Sequence, residues 1–170
     1  MPDSRYFFAA WPPADTAAAL AAWGKGLEGR PTAAPKIHLT LAFLGAVAPD
    51  KALEAARRVA GRPHALPIER AQYWKHNRIV WAGPWEAPVA LKALVEALHL
   101  ELRCSGYVLE ARPFAAHVTL ARSAPPPPRE LAPLPRVEWP VDELRLVRST
   151  NSPRGSAYEV VERFRLRSRA

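Results

Sequence analysis

The feature that most restricts this chain is a six-residue segment that occurs twice. Ile37-His38-Leu39-Thr40-Leu41-Ala42 and Ala116-His117-Val118-Thr119-Leu120-Ala121 align without gaps, 79 residues apart. With five His and five Thr in 170 residues, a His-x-Thr triplet is expected roughly 0.15 times by chance. Two copies in matching apolar frames imply a fold whose halves repeat one another. Side chains alternate between faces along a strand. His38 and Thr40 then share one face, with Leu39, Leu41 and Phe43 on the other, and His117 and Thr119 oppose Val118 and Leu120. Each copy predicts a strand with an apolar side and a reactive side.

The flanking pattern predicts what those strands belong to. Tyr6 to Ala10 reads as a strand, stopped by Pro12-Pro13, with Asp15 capping a helix to Leu27. Ile37 to Leu44 is a strand ended by Gly45, and Pro49-Asp50 opens a helix through Ala60, closed by Gly61. Leu66 to Trp74 and Arg78 to Gly83 form a hairpin around Lys75-His76-Asn77. Pro88 begins the longest helix, with Leu91, Leu94, Val95, Leu98 and Leu102 on one face and Gly106 as its stop. Tyr107 to Leu109 and Ala116 to Arg122 read as strands, and Pro125 to Pro128 as a connecting loop. Val141 to Arg148 and Ala157 to Leu166 make a final pair around a turn at Asn151 to Gly155. The sum is an α+β chain with mainly antiparallel sheets, residues 1–170 making one domain or two small fused lobes. All three helices fall in the first 106 residues, so any two-lobed arrangement must exchange elements between sequence halves.

Composition narrows the function. Hydrophobic residues make up 49% and charged residues 24%, enough for a core and against disorder throughout. No apolar run approaches the roughly 18 residues of a membrane span, and Met1-Pro2-Asp3-Ser4-Arg5 lacks the layout of a secretory signal. A cytoplasmic protein without a membrane partner is expected. The single Cys104 permits no internal disulfide and is expected to be a small buried hydrophobe. A net charge of +8 attracts polyanions, which points to nucleic acid or phosphorylated substrates.

Two imidazoles brought together by internal symmetry suit in-line displacement at phosphorus, with a base on the attacking side and an acid on the leaving side. Imidazole titrates near 6.5, so one ring can be neutral and the other charged near pH 7. The hydroxyls of Thr40 and Thr119 can donate to nonbridging phosphate oxygens. Neither role calls for a metal or cofactor. His64, His76 and His99 lie in turn-like or helical segments and are weaker candidates. Tyr73, Trp74 and Trp81 could stack on an unpaired base, although strand aromatics are more often core.

These residues resemble the two-histidine (2H) phosphoesterases, whose signature is a duplicated His-x-Thr-x. The nearest likeness is to the RNA 2',3'-cyclic phosphodiesterases, also called 2'-5' RNA ligase-like proteins. The resemblance runs from Arg5-Tyr6-Phe7-Phe8-Ala9 through both motifs to Leu146-Val147-Arg148-Ser149, Gly155 and Tyr158. It implies two pseudo-symmetric lobes, each an antiparallel sheet with helices outside, around a central cleft. It implies hydrolysis of a terminal 2',3'-cyclic phosphate of RNA or a nucleotide to a 2'-phosphate. His38 is then the proton donor to the departing 3' oxygen and His117 the acceptor from water. It also implies a monomer with no obligate protein partner. Arg122 matches a family arginine associated with substrate phosphate. Five residues after His117, however, it points to the wrong face of an ideal strand unless a bulge intervenes near Ala121. The chain departs from commoner family forms at Ala116, usually Pro, and at Ala34-Pro35-Lys36. Two rival readings remain open: 2'-5' ligation by the same site, and a non-catalytic RNA-binding module.

Overall fold

A computed structural model describes residues 4–167. The chain runs β1 (Ser4–Ala10), α1 (Ala14–Gly24), β2 (Arg30–Pro31), a 3-10 turn (Ala34–Lys36), β3 (Leu39–Gly45), α2 (Asp50–Arg58) and β4 (His64–Ala65). It continues with β5 (Arg70–Trp74), β6 (Ile79–Gly83), α3 (Val89–Cys104), β7 (Val118–Arg122), β8 (Pro140–Val141), β9 (Glu143–Ser152) and β10 (Gly155–Arg165). The strand pairs are antiparallel, as the α+β expectation requires.

Proline sets the helix starts. Pro13, Pro49 and Pro88 stand directly before α1, α2 and α3, where a residue without an N–H forfeits no helical bond. Asp15 lies inside the first turn of α1 rather than at its cap, and its Oδ1 accepts from the Thr16 N–H at 2.9 Å. The stripe Leu91, Leu94, Val95, Leu98 and Leu102 is buried, as its spacing predicts. Truncating a leucine so enclosed costs about 2–5 kcal/mol. The helix stops at Gly106, whose φ of +96° suits glycine. The N–H groups of Gly106 and Tyr107 turn back to the carbonyls of Arg103 and Leu102.

Two expectations fail near this helix end. Tyr107 to Leu109 forms no strand. The Tyr107 hydroxyl instead donates to the Ala48 carbonyl at 2.8 Å and accepts from the Ala52 N–H at 2.9 Å, pinning the loop to the start of α2. Cys104 is exposed, not buried. It sits two residues, or about 200° of helix rotation, past the buried Leu102 and so faces away from the core.

The main sheet has the order β10-β9-β1-β3-β7-β6-β5, with β2 added to β7, while β4 and β8 pair separately. One lobe is β10-β9-β1-β3 and the other β7-β6-β5 with β2. They join through a single residue pair, Leu39 with Val118, the residues that follow the two motif histidines. The pseudo-twofold axis of the duplication therefore passes between β3 and β7.

Helices are exchanged across that axis, as their sequence positions required. α1 precedes β3 but packs on β7, and α3 precedes β7 but packs on β3. α1 comes close enough that a Cβ on Gly24 would stand 3.3 Å from the Leu120 carbonyl oxygen. Leu39 and Leu41 from one half and Val118 and Leu120 from the other enter one core beneath the helices. The opposite face of the sheet is left for the motif's polar side chains. Among the described residues, no helix is long and apolar enough to cross a membrane.

Candidate active site

Both histidines lie one residue before a strand begins, since β3 starts at Leu39 and β7 at Val118. Each ring is held in the same way. His38 Nδ1 is 2.7 Å from the Lys36 carbonyl oxygen, and His117 Nδ1 is 2.8 Å from that of Ala115. A carbonyl can only accept, so Nδ1 carries the proton in both rings and Nε2 is the free atom of the neutral imidazole. The unusual approaches at Ala34-Pro35-Lys36 and Ala116 thus lead to equivalent local geometry.

Antiparallel register around the Leu39–Val118 pair sets His38 toward Thr119 and Thr40 toward His117. All four line one cavity of about 430 Å3, together with Lys36, Arg122 and Tyr158. The pairing that the doubled motif implied is realised. Among the described residues, no three His, Cys, Asp or Glu side chains group as a metal site.

Arg122 reaches this cavity because β7 is bulged. Val80 pairs with Ala121 and Trp81 with Thr119, which leaves Leu120 without a partner on β6. The extra residue shifts the alternation by one and brings Arg122 to the reactive face. β3 carries the same defect at the matching position: Phe8 pairs with Ala42 and Ala9 with Thr40, and Leu41 is skipped. This corrects the expected placement of Phe43. Leu39 and Leu41 enter the core, but Phe43 turns to the cleft side and is 50% exposed.

A bulge leaves a carbonyl outside the ladder, and each of these is satisfied from elsewhere. The Leu120 oxygen accepts from the Thr32 N–H at 2.9 Å, and the Leu41 oxygen from His99 Nε2 at 2.8 Å. His99 therefore braces the motif through that carbonyl, and lines a neighbouring cavity instead of the one that holds both motif histidines. His76 lines a neighbouring cavity beside Trp74. His64 sits in the small second sheet, away from both.

Aromatic rings wall in each imidazole. His38 stacks on Trp11, with centroids 4.6 Å apart and planes at 14°, and meets the edge of Tyr158 at 5.4 Å. Trp11 is fixed by its Nε1–H bond to the Pro35 carbonyl, and the Arg145 guanidinium lies 5.6 Å from its ring. His117 lies 4.7 Å from Trp74, which contacts Trp81 at 4.8 Å, and Arg70 stands over Trp81 at 5.1 Å. Trp74 and Trp81 thus buttress a histidine, while Tyr73 bonds the Ala124 carbonyl beneath the proline loop. Trp11 was not legible as a site residue, because only the turn after β1 and the Pro35 carbonyl carry it to His38.

Burial is the main influence on both rings. It holds His38 down from 6.5 to about 4, with smaller contributions from the Arg122 and His117 charges. His117 is lowered too, by burial first and then by Arg122. Burial raises Tyr158 above the usual phenol range, and Arg122 opposes that rise. Arg122 is thus electrostatically close to all three groups. The cavity holds two neutral imidazoles beside a guanidinium, an environment that favours an incoming anion.

Comparison with known proteins agrees with this geometry. The family described as "LigT like Phosphoesterase" matches residues 11–81, which include the first motif. An RNA 2',3'-cyclic phosphodiesterase of Escherichia coli is 39% identical over 109 residues, spanning 58% of this chain and 61% of that protein. One from Thermus thermophilus is 32% identical over 96% of this chain and 90% of its own length. The crystal structure of E. coli LigT complexed with 3'-AMP superposes with a TM-score of 0.89 at 31% identity, covering 99% of this chain and all of that one. With likeness at this level along nearly its whole length, the chain belongs to the LigT-like phosphoesterases.

Proposed function

We propose that the chain hydrolyses the 2',3'-cyclic phosphate end of an RNA or nucleotide to a 2'-phosphate, with His38 as acid and His117 as base and no metal. One observation carries this reading. Two imidazoles whose Nδ1–H groups are tied to backbone carbonyls present their Nε2 atoms to one cavity that also holds two threonine hydroxyls and an arginine. The activity named for the E. coli and Thermus relatives supports it.

The displacement follows from that arrangement. His117 Nε2 takes a proton from water as the water oxygen bonds to phosphorus. On the opposite side the P–O3' bond breaks, and His38 Nε2–H delivers its proton to the departing 3' oxygen. Thr40 and Thr119 donate to the nonbridging oxygens, and Arg122 neutralises them. His38 must be charged to act as acid, although burial depresses it to about 4. That depression corresponds to about 3 kcal/mol. An anionic phosphate about 4 Å away returns about 4 kcal/mol at an effective dielectric constant near 20. Substrate binding thus offsets the cost of burial and loads the acid. Solvent exchange returns one proton to His38 and removes one from His117.

Incubation with 2',3'-cyclic AMP and a chelator, followed by phosphorus NMR, tests the reading. A 2'-monophosphate formed at an undiminished rate is expected. A 3'-monophosphate, a strict metal requirement, or no turnover would overturn it.

A further inference from the structure

The two motif histidines are tethered alike, but the rings around them are not arranged alike. His38 lies nearly parallel to Trp11, with planes at 14° and centroids 4.6 Å apart. His117 meets Trp74 at 59° and Trp81 at 78°. The face of Trp81 is also taken, because the Arg70 guanidinium stands 5.1 Å over it and 4.8 Å over Trp85. One imidazole therefore rests flat on an indole and the other does not. The flat contact is built into the backbone. The Trp11 Nε1–H donates to the Pro35 carbonyl at 3.0 Å, and His38 Nδ1–H donates to the next carbonyl, that of Lys36, at 2.7 Å. Two consecutive peptide groups of the 3-10 turn thus fix the angle between the rings. Pro12 and Pro13, directly after Trp11, restrict the chain that carries the indole.

We propose that Trp11 is a positioning residue that makes His38 the acid of the pair: its indole face steadies the imidazolium before proton transfer, and the tilted rings beside His117 leave that histidine the base. The inference rests on the cyclic-phosphate reading and breaks the symmetry that the doubled motif leaves open. An aromatic face is negative and its edge positive, so a ring lying flat favours a cation more than one met at a steep angle. His38 needs such a partner, because the charged side chains around it are cations. Arg30 from β2, Lys36 from the 3-10 turn, Arg122 from β7 and Arg154 from the turn before β10 line its cavity, with His117 and Tyr158, and no Asp or Glu is among the described lining residues. Behind the indole, Arg145 from β9 lies 5.6 Å from the Trp11 ring and pairs with Glu143 at 2.8 Å. Phe7 adds a second ring to His38, tilted by 33° at 5.2 Å. A tryptophan that merely shut out water would disfavour the charged form instead, so the two accounts of Trp11 predict opposite signs.

The test titrates the histidine ring signals by carbon-13 NMR in the presence of sulfate, a phosphate stand-in that does not itself titrate near neutrality. His38 is assigned from the signal lost in His38→Asn. Wild type, Trp11→Phe and Trp11→Leu are compared, since phenylalanine and leucine both fill the site with apolar surface and only one has a π face. The expected His38 midpoints fall in the order wild type, phenylalanine, leucine, with leucine about one pH unit below wild type, a tenfold change in the proton equilibrium. A leucine midpoint at or above that of wild type, or equal midpoints in the two variants, overturns the proposal. With 2',3'-cyclic AMP, the high-pH limb of kcat, which reports the acid in the complex, should move down by a similar amount in Trp11→Leu while the low-pH limb stays. At pH 7.5 kcat then falls about tenfold with KM little changed. A midpoint that falls without moving the high-pH limb overturns the part given to Trp11 in choosing the acid. A wild type that turns over no cyclic nucleotide sinks both readings, whereas wrong midpoints beside normal turnover sink this one alone.

Discussion

His38 makes stability depend on pH in a way that isolates its environment. The ring titrates near 6.5 in the unfolded chain and near 4 in the folded one, chiefly because it is buried. The folded state thus binds fewer protons between those values. The stability associated with the neutral ring is complete above about pH 6.5 and declines as pH falls toward about 4. With those two values, the loss at pH 5 is about 2 kcal/mol, and it approaches about 3 kcal/mol at pH 4. His38→Asn removes the titration while keeping an amide N–H for the Lys36 carbonyl. Urea unfolding of both proteins at pH 7.5 and pH 5 gives a double difference in which every other titrating group cancels. Whatever the substitution costs at pH 7.5, the variant should recover about 2 kcal/mol relative to wild type at pH 5. A flat difference would mean that the ring is solvated. A difference of opposite sign would mean that it is held protonated, and the account of a cavity that charges only on binding an anion would be wrong.

Three further outcomes follow from the same geometry. His38→Ala and His117→Ala should each lower turnover of a 2',3'-cyclic nucleotide by about 10^2 to 10^4 while leaving the circular dichroism spectrum intact; wild-type turnover in both would end the acid–base assignment. Gly83→Ala would place a Cβ 2.7 Å from the Ala116 carbonyl oxygen, beside His117, so it should cost about 1–3 kcal/mol in thermal or urea unfolding and reduce turnover along with stability. His99→Leu strands the Leu41 carbonyl, which should cost about 1–3 kcal/mol, and His99→Gln should recover part of that loss; equal stability of the two variants would show that the hydrogen bond contributes nothing.

The chemistry was more legible in the sequence than the surface that presents it. The histidines and threonines could be read because each pair lies within three residues, where alternation alone decides what shares a face. The two lobes were legible through the family likeness, and the exchange of helices followed from where the apolar stripes fell along the chain. Alternation misled beyond Thr40 and Thr119, because Leu41 and Leu120 are skipped by β1 and β6. A bulge depends on the partner strand, and nothing within the motif records it. The same unseen residue sent Phe43 to the wrong face and made Arg122 look misplaced. Tyr158 could be picked out by family likeness, but its contact with His38 needs β10, β9, β1 and β3 in succession. Cys104 was a simpler miss, since the helical phase set by Leu98 and Leu102 already turned it outward.

The strand order also governs when the surroundings of His38 are complete. No contiguous half of the chain encloses His38 on its own, since Trp11 and Tyr158 come from opposite ends. β1 takes β9 as its second neighbour, and Tyr158 on β10 closes the ring of aromatics around His38. A ribosome must deliver the last two long strands before the first motif, made more than a hundred residues earlier, acquires its surroundings. Polypeptides that stop short of β10 therefore lack the ring that closes over His38, and the enclosure is complete only when the last strand is in place.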